Sequence, residues 1–350
     1  MSTRHNNVPA LLLLLAAAML IAAITGCERK VEGTVAIEET VSDQCFECHN
    51  GQHDVQQGEW ANSIHASGEN VDYTSRDGSD CVKCHNQDGF IEFITFGTFI
   101  GGGNAKAIGC FACHNPHENG DYSLRTVAAV TLEDGSIFDQ GQGNLCSNCH
   151  HSRRDASAID SNTTLSRYWG PHHGPQGDIY AQANAYEAFP GWADTSSNPH
   201  WSLADACVDC HLQYANTHAG YDVGGHSFNM EDESGNNLTL VCRNCHSEIG
   251  SRGGDYDDIR NGNDYDRDGT PNGFMTEVEG MLDSLRQILL ARGLIDGTDH
   301  PIDTTVVDPN ETGSVYNFLN VHEDRSHGAH NPRYTVQTLN WSWDYMKALP

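Results

Sequence analysis

Basic residues are scarce in this chain: 19 lysines and arginines stand against 48 aspartates and glutamates, for a formal net charge of −29. That imbalance excludes nucleic acid and anionic membrane surfaces as partners through bulk electrostatics, and favours positively charged proteins, cationic minerals or metal ions. Apolar residues are also few, at 38% of the chain, so an ordinary side-chain core would be small for 350 residues. The one long apolar run, Leu11–Ile24, is too short to span a bilayer comfortably. Cysteine is almost absent outside one pattern, which takes 12 of the 13.

That pattern is Cys-x-x-Cys-His. Its first copy is formed by Cys45, Cys48 and His49. The others are Cys81/Cys84/His85, Cys110/Cys113/His114, Cys146/Cys149/His150, Cys207/Cys210/His211 and Cys242/Cys245/His246. It reads as covalent attachment of c-type haem: two thiols a fixed distance apart bond to the porphyrin vinyl groups, and the adjacent imidazole meets the iron from the proximal side. Zinc sites and dithiol redox pairs are the alternatives, but neither requires a histidine directly after every pair. The cofactors expected are therefore six c-type haems. Their apolar faces would supply much of the interior, and a haem-free chain is expected to be largely unfolded.

Residues 1–26 read as an export signal, with Arg4 before the apolar run. Ile24-Thr25-Gly26-Cys27 reads as a lipoprotein cleavage site that leaves Cys27 lipid-modified, with residues 27–42 as a tether. An exported outer-membrane lipoprotein is expected, held to the membrane through the anchor on Cys27. Residues 43–250 form the six-haem-binding region and 251–350 a C-terminal region. Successive motifs begin 36, 29, 36, 61 and 35 residues apart, a quasi-regular series rather than separate domains.

The fold class expected is mainly α and irregular, with a haem-packed core and one small β-hairpin, in which Leu124–Leu132 and Ser136–Phe138 flank Glu133-Asp134-Gly135. Val278, Met281, Leu282, Leu285, Ile288 and Leu289 recur on one face of a predicted helix over Thr276–Leu294, with Gly293 placed to end it. A second helix is predicted over Pro332–Leu349.

What fills the second axial position of each iron decides between electron transfer and catalysis. Outside the motifs and the signal, thirteen histidines remain for six irons. The distal candidates are His65, His117, His172 or its neighbour His173, His200, His226 and His330; seven are to spare, among them His53, His151, His218, His300 and His322. Separately, Asp264, Asp266 and Asp268, followed by Gly269 and Thr270, place oxygen donors at alternate positions as calcium loops do. The closing glutamate of an EF-hand is replaced by Met275, and Glu277 is the substitute.

The haem motifs, Gly-Pro-His172-His173-Gly-Pro-Gln-Gly-Asp, Gly-His226-Ser-Phe, and Val315-Tyr-Asn317 through His330-Asn-Pro-Arg-Tyr334 carry a resemblance. Over most of residues 40–350 the chain resembles the multihaem c-type cytochromes exported by metal-reducing bacteria. The last stretch is similar to the corresponding region of the ammonia-forming nitrite reductase and hydroxylamine oxidoreductase superfamily, where such a histidine is a distal ligand. The resemblance implies stacked bis-histidine haems passing electrons to other cytochromes or extracellular acceptors, in some members as homopolymeric filaments. The chain departs from the nitrite reductases in that their catalytic motif ends in lysine, whereas all six here end in histidine. Electron transfer is thus the expected function, and reduction of a nitrogen or sulfur oxyanion at an open haem the alternative.

Overall fold

The computed structural model describes residues 53–67, 81–99, 106–193, 197–214, 223–232, 234–235, 237–250 and 254–350. All fall within one unit, Thr40–Pro350. The export signal, Cys27 and the tether lie outside the described residues. So do all three residues of the first haem motif: Cys45, Cys48 and His49. Of the surplus histidines, His218 also lies outside them.

Most of the regular structure is helical. Two longer helices precede the C-terminal region, α1 (Asp54–Ala61) and α2 (Gln87–Phe96). Asn86 caps α2, its side chain accepting hydrogen bonds from the backbone N–H groups of Asp88 and Gly89, and Gly97 closes it at φ +70°.

Three helices follow at the C-terminal end. In α3 (Phe274–Ala291), Val278, Met281, Leu285 and Leu289 are buried, the i, i+3, i+7, i+11 spacing of one helical face. Fully burying each such side chain contributes about 1.5–3 kcal/mol. The helix ends at Arg292, and Gly293 takes the left-handed conformation at φ +69°.

The middle helix, α4 (Pro309–Asp324), starts on Asp308, whose carboxylate accepts from the Asn310 N–H at 2.9 Å. It is buried on all sides. Thr312, Ser314, Asn317 and Asn320 are as inaccessible as Val315, Tyr316 and Phe318. Asn317 substitutes for a strand partner: its Oδ1 accepts from the Tyr186 N–H at 2.7 Å, and its Nδ2 donates to the Tyr186 carbonyl and Ser342 Oγ, both at 3.0 Å.

The last helix, α5 (Pro332–Ala348), is capped by Asn331, with Pro332 at its first position. These helices pack together and against Ile159, Leu165, Trp169, Ile179, Tyr186 and Phe189 in one side-chain core. That core joins residues on both sides of position 250.

Two small antiparallel sheets are present. The predicted hairpin pairs β1 (Val130–Thr131) with β2 (Ile137–Phe138), turning at Gly135 with φ +85°. The second sheet, unforeseen, pairs β3 (Thr164–Leu165) with β4 (Thr304–Thr305) across 139 to 141 positions: Leu165 lies opposite Thr304, and the hydroxyls of Thr164 and Thr305 are 3.1 Å apart. Among the described residues, no helix is long and apolar enough to cross a membrane.

Candidate functional site

Five of the six motifs lie among the described residues, and each is a short helical turn. In four of them the histidine N–H donates to the carbonyl of the first cysteine, at 2.9 Å for His85, His114 and His150 and 2.8 Å for His246. The fifth lies in the helix Cys207–His211. Residues i and i+3 share a face of a helical turn, so both thiols project to the side from which the histidine ring departs. Burial raises the Cys113 thiol to about 11 and the Cys210 thiol to about 12. A hydrogen bond with Cys84, then burial, raises Cys149; a hydrogen bond with Cys146, then burial, raises Cys207. The sixth motif, with the thiols of Cys45 and Cys48, lies outside the described residues, so its turn and its facing ring stay expectations from the sequence.

Opposite each of the five motif histidines stands a second imidazole. Ring centroids are 6.1 Å apart for His85 and His172, 6.3 Å for His114 and His226, and 6.0 Å for His150 and His65. They are 6.2 Å apart for His211 and His330, and 6.3 Å for His246 and His200. Two metal–imidazole bonds of about 2.0–2.1 Å in line, plus about 1.1 Å from each nitrogen to its ring centre, put centroids about 6.2 Å apart. The residues therefore fit an iron held between two imidazoles at five places, with the two thiols beside it. His173, the neighbour left open beside His172, instead bonds Glu323 through Nδ1 at 2.7 Å.

At six of these ten rings Nδ1 is turned toward an acceptor. His114 meets the Tyr122 carbonyl at 2.7 Å, His211 the Phe228 carbonyl at 2.8 Å and His200 the Ala329 carbonyl at 2.9 Å. His150 meets Gln176 Oε1 and His246 meets Glu248 Oε1, both at 3.1 Å. His330 meets the Asp324 carboxylate at 2.6 Å. A proton held on Nδ1 leaves Nε2 free to bind metal.

Burial also keeps most of the rings neutral, as a ligand must be. It is the main cause lowering His172 to about 3 and both His65 and His211 to about 4. It likewise lowers His150, His200 and His226. At His330 burial pulls the same way, but the Asp324 carboxylate outweighs it and the ring is held above its ordinary value.

Four of the five pairs, all but His114 and His226, line one cavity of about 2300 Å³, against roughly 300–1000 Å³ for a small-molecule pocket. Around it the motif turns abut one another. Cys84 Sγ lies 4.0 Å from the Asn148 carbonyl, and Cys149 Sγ lies reciprocally 3.9 Å from the Lys83 carbonyl. Cys207 Sγ lies 4.0 Å from the Gly143 carbonyl. The turn 226–228 ties three pairs together: it carries His226, sets the Phe228 ring 5.0 Å from His65, and bonds His211.

The remaining distal candidate, His117, is exposed beside Phe111 at 5.6 Å, and the motif histidine left for it, His49, lies outside the described residues. Of the surplus, His53 bonds the Tyr122 hydroxyl at 3.1 Å, and His322 stacks on Phe318 at 5.5 Å. The acceptors Asp324, Gln176 and Glu248 were not singled out from sequence; a carboxylate or amide gains this role only through a contact made in the fold.

The acidic loop gathers oxygens of Asp264, Asp266 and Asp268 within 4.8 Å of one another. Gly280 of α3 lets it approach, because a Cβ there would collide with the Asp266 carboxylate. Burial, reinforced by the charges of Glu277 and Asp268, holds the Asp266 carboxyl above its ordinary value. The Thr270 N–H donates to Asp268 at 2.6 Å, while Glu277 accepts from the N–H groups of Asn272 at 2.5 Å and Tyr265 at 2.7 Å.

No protein-family model and no curated protein matches this chain. Similar solved structures include the outer cell wall cytochrome OcwA, at TM-score 0.50 and 17% identity over 83% of this chain and 50% of that one. They also include the undecahaem cytochrome from the S-layer of Carboxydothermus ferrireducens, at TM-score 0.49 and 17% identity, covering 88% and 46% of the two chains. The chain thus spans about half the length of each. At 17% identity the likeness is one of architecture, and the fold of this chain is similar to that of an outer cell wall cytochrome.

Proposed function

We propose that this chain is an exported electron-transfer protein holding six c-type haems on its Cys-x-x-Cys-His motifs, each iron closed by two imidazoles. The observation that carries the reading is the set of five facing histidine pairs with centroids 6.0–6.3 Å apart, one at every described motif. The distal ligands are His172 for the Cys81/Cys84 motif, His226 for Cys110/Cys113, His65 for Cys146/Cys149, His330 for Cys207/Cys210 and His200 for Cys242/Cys245. His117 serves the haem on Cys45 and Cys48. Bound haem supplies one-electron chemistry; the paired imidazoles exclude water and substrate from the iron and hold it in one geometry through reduction.

Contacts between motif turns support an order. Cys146/Cys149 is the junction, beside Cys84 on one side and Cys207 on the other. Electrons would pass along that order toward other cytochromes or extracellular acceptors, with Cys27 carrying the lipid that holds the protein to the outer membrane. Assembly into a homopolymer is compatible with the same wire.

The rival reading, reduction of a small nitrogen or sulfur oxyanion at an open iron, would fall to the haem on Cys45 and Cys48, whose motif lies outside the described residues. Carbon monoxide binding to the dithionite-reduced holo-protein, followed in the Soret band, separates the two. No change is expected. A shift amounting to about one haem in six would overturn the electron-transfer reading in favour of catalysis at that site.

A further inference from the structure

The acceptors facing the distal rings are not alike. His200 donates from Nδ1 to a neutral backbone carbonyl, that of Ala329, at 2.9 Å. His330 donates to the Asp324 carboxylate at 2.6 Å, and the carboxylate is 2% exposed. A buried charge-assisted hydrogen bond of that length is about twice as strong as a neutral one. It draws the Nδ1 proton toward oxygen and pushes electron density onto Nε2. One neighbour strengthens it and another holds its geometry. Asp324 is the last residue of α4, where the helix presents its negative end, so the field around the carboxylate is already negative. Ser326 Oγ donates to the other carboxylate oxygen and accepts from the His330 N–H at 3.2 Å, which fixes carboxylate and ring in one arrangement.

We propose that Asp324 is a positioning residue that makes His330 an unusually electron-rich axial ligand and so lowers the reduction potential of the haem at Cys207/Cys210. The inference rests on the bis-imidazole reading above. A stronger donor stabilises the ferric over the ferrous iron, so removing the carboxylate raises the potential. Glu59 makes a weaker version of the contact. Its Oε2 lies 3.4 Å from His226 Nδ1, beyond a good hydrogen bond, and accepts from the His226 N–H at 3.0 Å.

The test is a spectroelectrochemical titration of the full-length holo-protein carrying Asp324→Asn. One midpoint is expected to rise by a tenfold change in its reduction equilibrium, about 59 mV for one electron, while the others stay in place. Glu59→Gln should move a different midpoint by less. Asp324→Asn with full haem content, an unchanged low-spin spectrum and unmoved midpoints would overturn the inference and leave the functional reading intact. Wild-type protein lacking low-spin bis-imidazole spectra would overturn both. Should Asp324→Asn fail to assemble, Ser326→Ala provides the opposite sign. Losing a donor to the carboxylate strengthens its hold on the His330 proton, so the same midpoint should fall, and an unmoved midpoint overturns the inference.

Discussion

A neutral imidazole ring needs a partner for its N–H, and at six of the ten paired rings the fold supplies an acceptor to Nδ1. Tyr122, Phe228 and Ala329 do so with backbone carbonyls, Gln176 with an amide and Asp324 with a carboxylate. Another buried acid near the motifs has a different role. Asp178 is fully inaccessible and accepts from the Ser152 N–H at 2.7 Å and from Asn184 Nδ2 at 3.0 Å. Burial nevertheless raises its carboxyl to about 7, over the lowering effect of those donors. Because the folded pKa lies above the unfolded value of about 4, the folded state binds the proton more tightly. The associated stability is complete below about pH 4 and is lost as pH rises through about 7. Thermal melts of holo-protein should therefore show the midpoint falling from about pH 4 to about pH 7, and Asp178→Asn should flatten that slope. A variant with the wild-type slope would refute the assignment.

At the scale of elements, what could be read from sequence depended on periodicity. The helices predicted over Thr276–Leu294 and Pro332–Leu349 form as Phe274–Ala291 and Pro332–Ala348, because each keeps a buried stripe against a polar face. Helix α4 was illegible. Surrounded on every side, it buries Thr312, Ser314, Asn317 and Asn320 among its apolar residues, so no stripe stands out. The hairpin around Gly135 was legible from its turn residues, whereas pairing of Thr164 with Thr305 depends on the tertiary fold alone. The five described motif turns were fully legible, since one helical turn is a local event. Which distal ring faces which motif was not, because that is set by chain segments brought together from far apart.

The acidic loop before α3 tests another element. Three carboxylates within 4.8 Å repel one another unless a cation joins them. If calcium does so, a chelator should lower the melting midpoint and added calcium should restore it. An unchanged midpoint would leave Asp264, Asp266 and Asp268 as a solvated turn.

The molecule as a whole has two kinds of interior. One is a side-chain core running from Ile159, Ile179 and Tyr186 to the three C-terminal helices; the other is the cavity lined by thiols and imidazoles. The first needs no cofactor to exclude water. The second does, since its walls face one another across a space that side chains do not fill. Amide hydrogen exchange on haem-free chain should therefore show protection confined to α3, α4, α5 and the segments packed on them, with rapid exchange through the motif turns. Uniform rapid exchange would mean that the side-chain core cannot persist alone, and uniform protection that the cavity does not need haem.

The pairing of histidines also sets a calendar for maturation. If the chain is exported as proposed, it emerges N-terminus first. His65 and His200 precede the motifs they face, at His150 and His246, and are already outside when those motifs emerge. His172, His226 and His330 follow theirs, so irons bound at Cys81/Cys84, Cys110/Cys113 and Cys207/Cys210 would begin with one side bare. The last to be closed waits for the residue just ahead of the final helix. Until then a half-built protein would display a reactive iron, and a cell has reason to finish the carboxyl end of such a chain quickly.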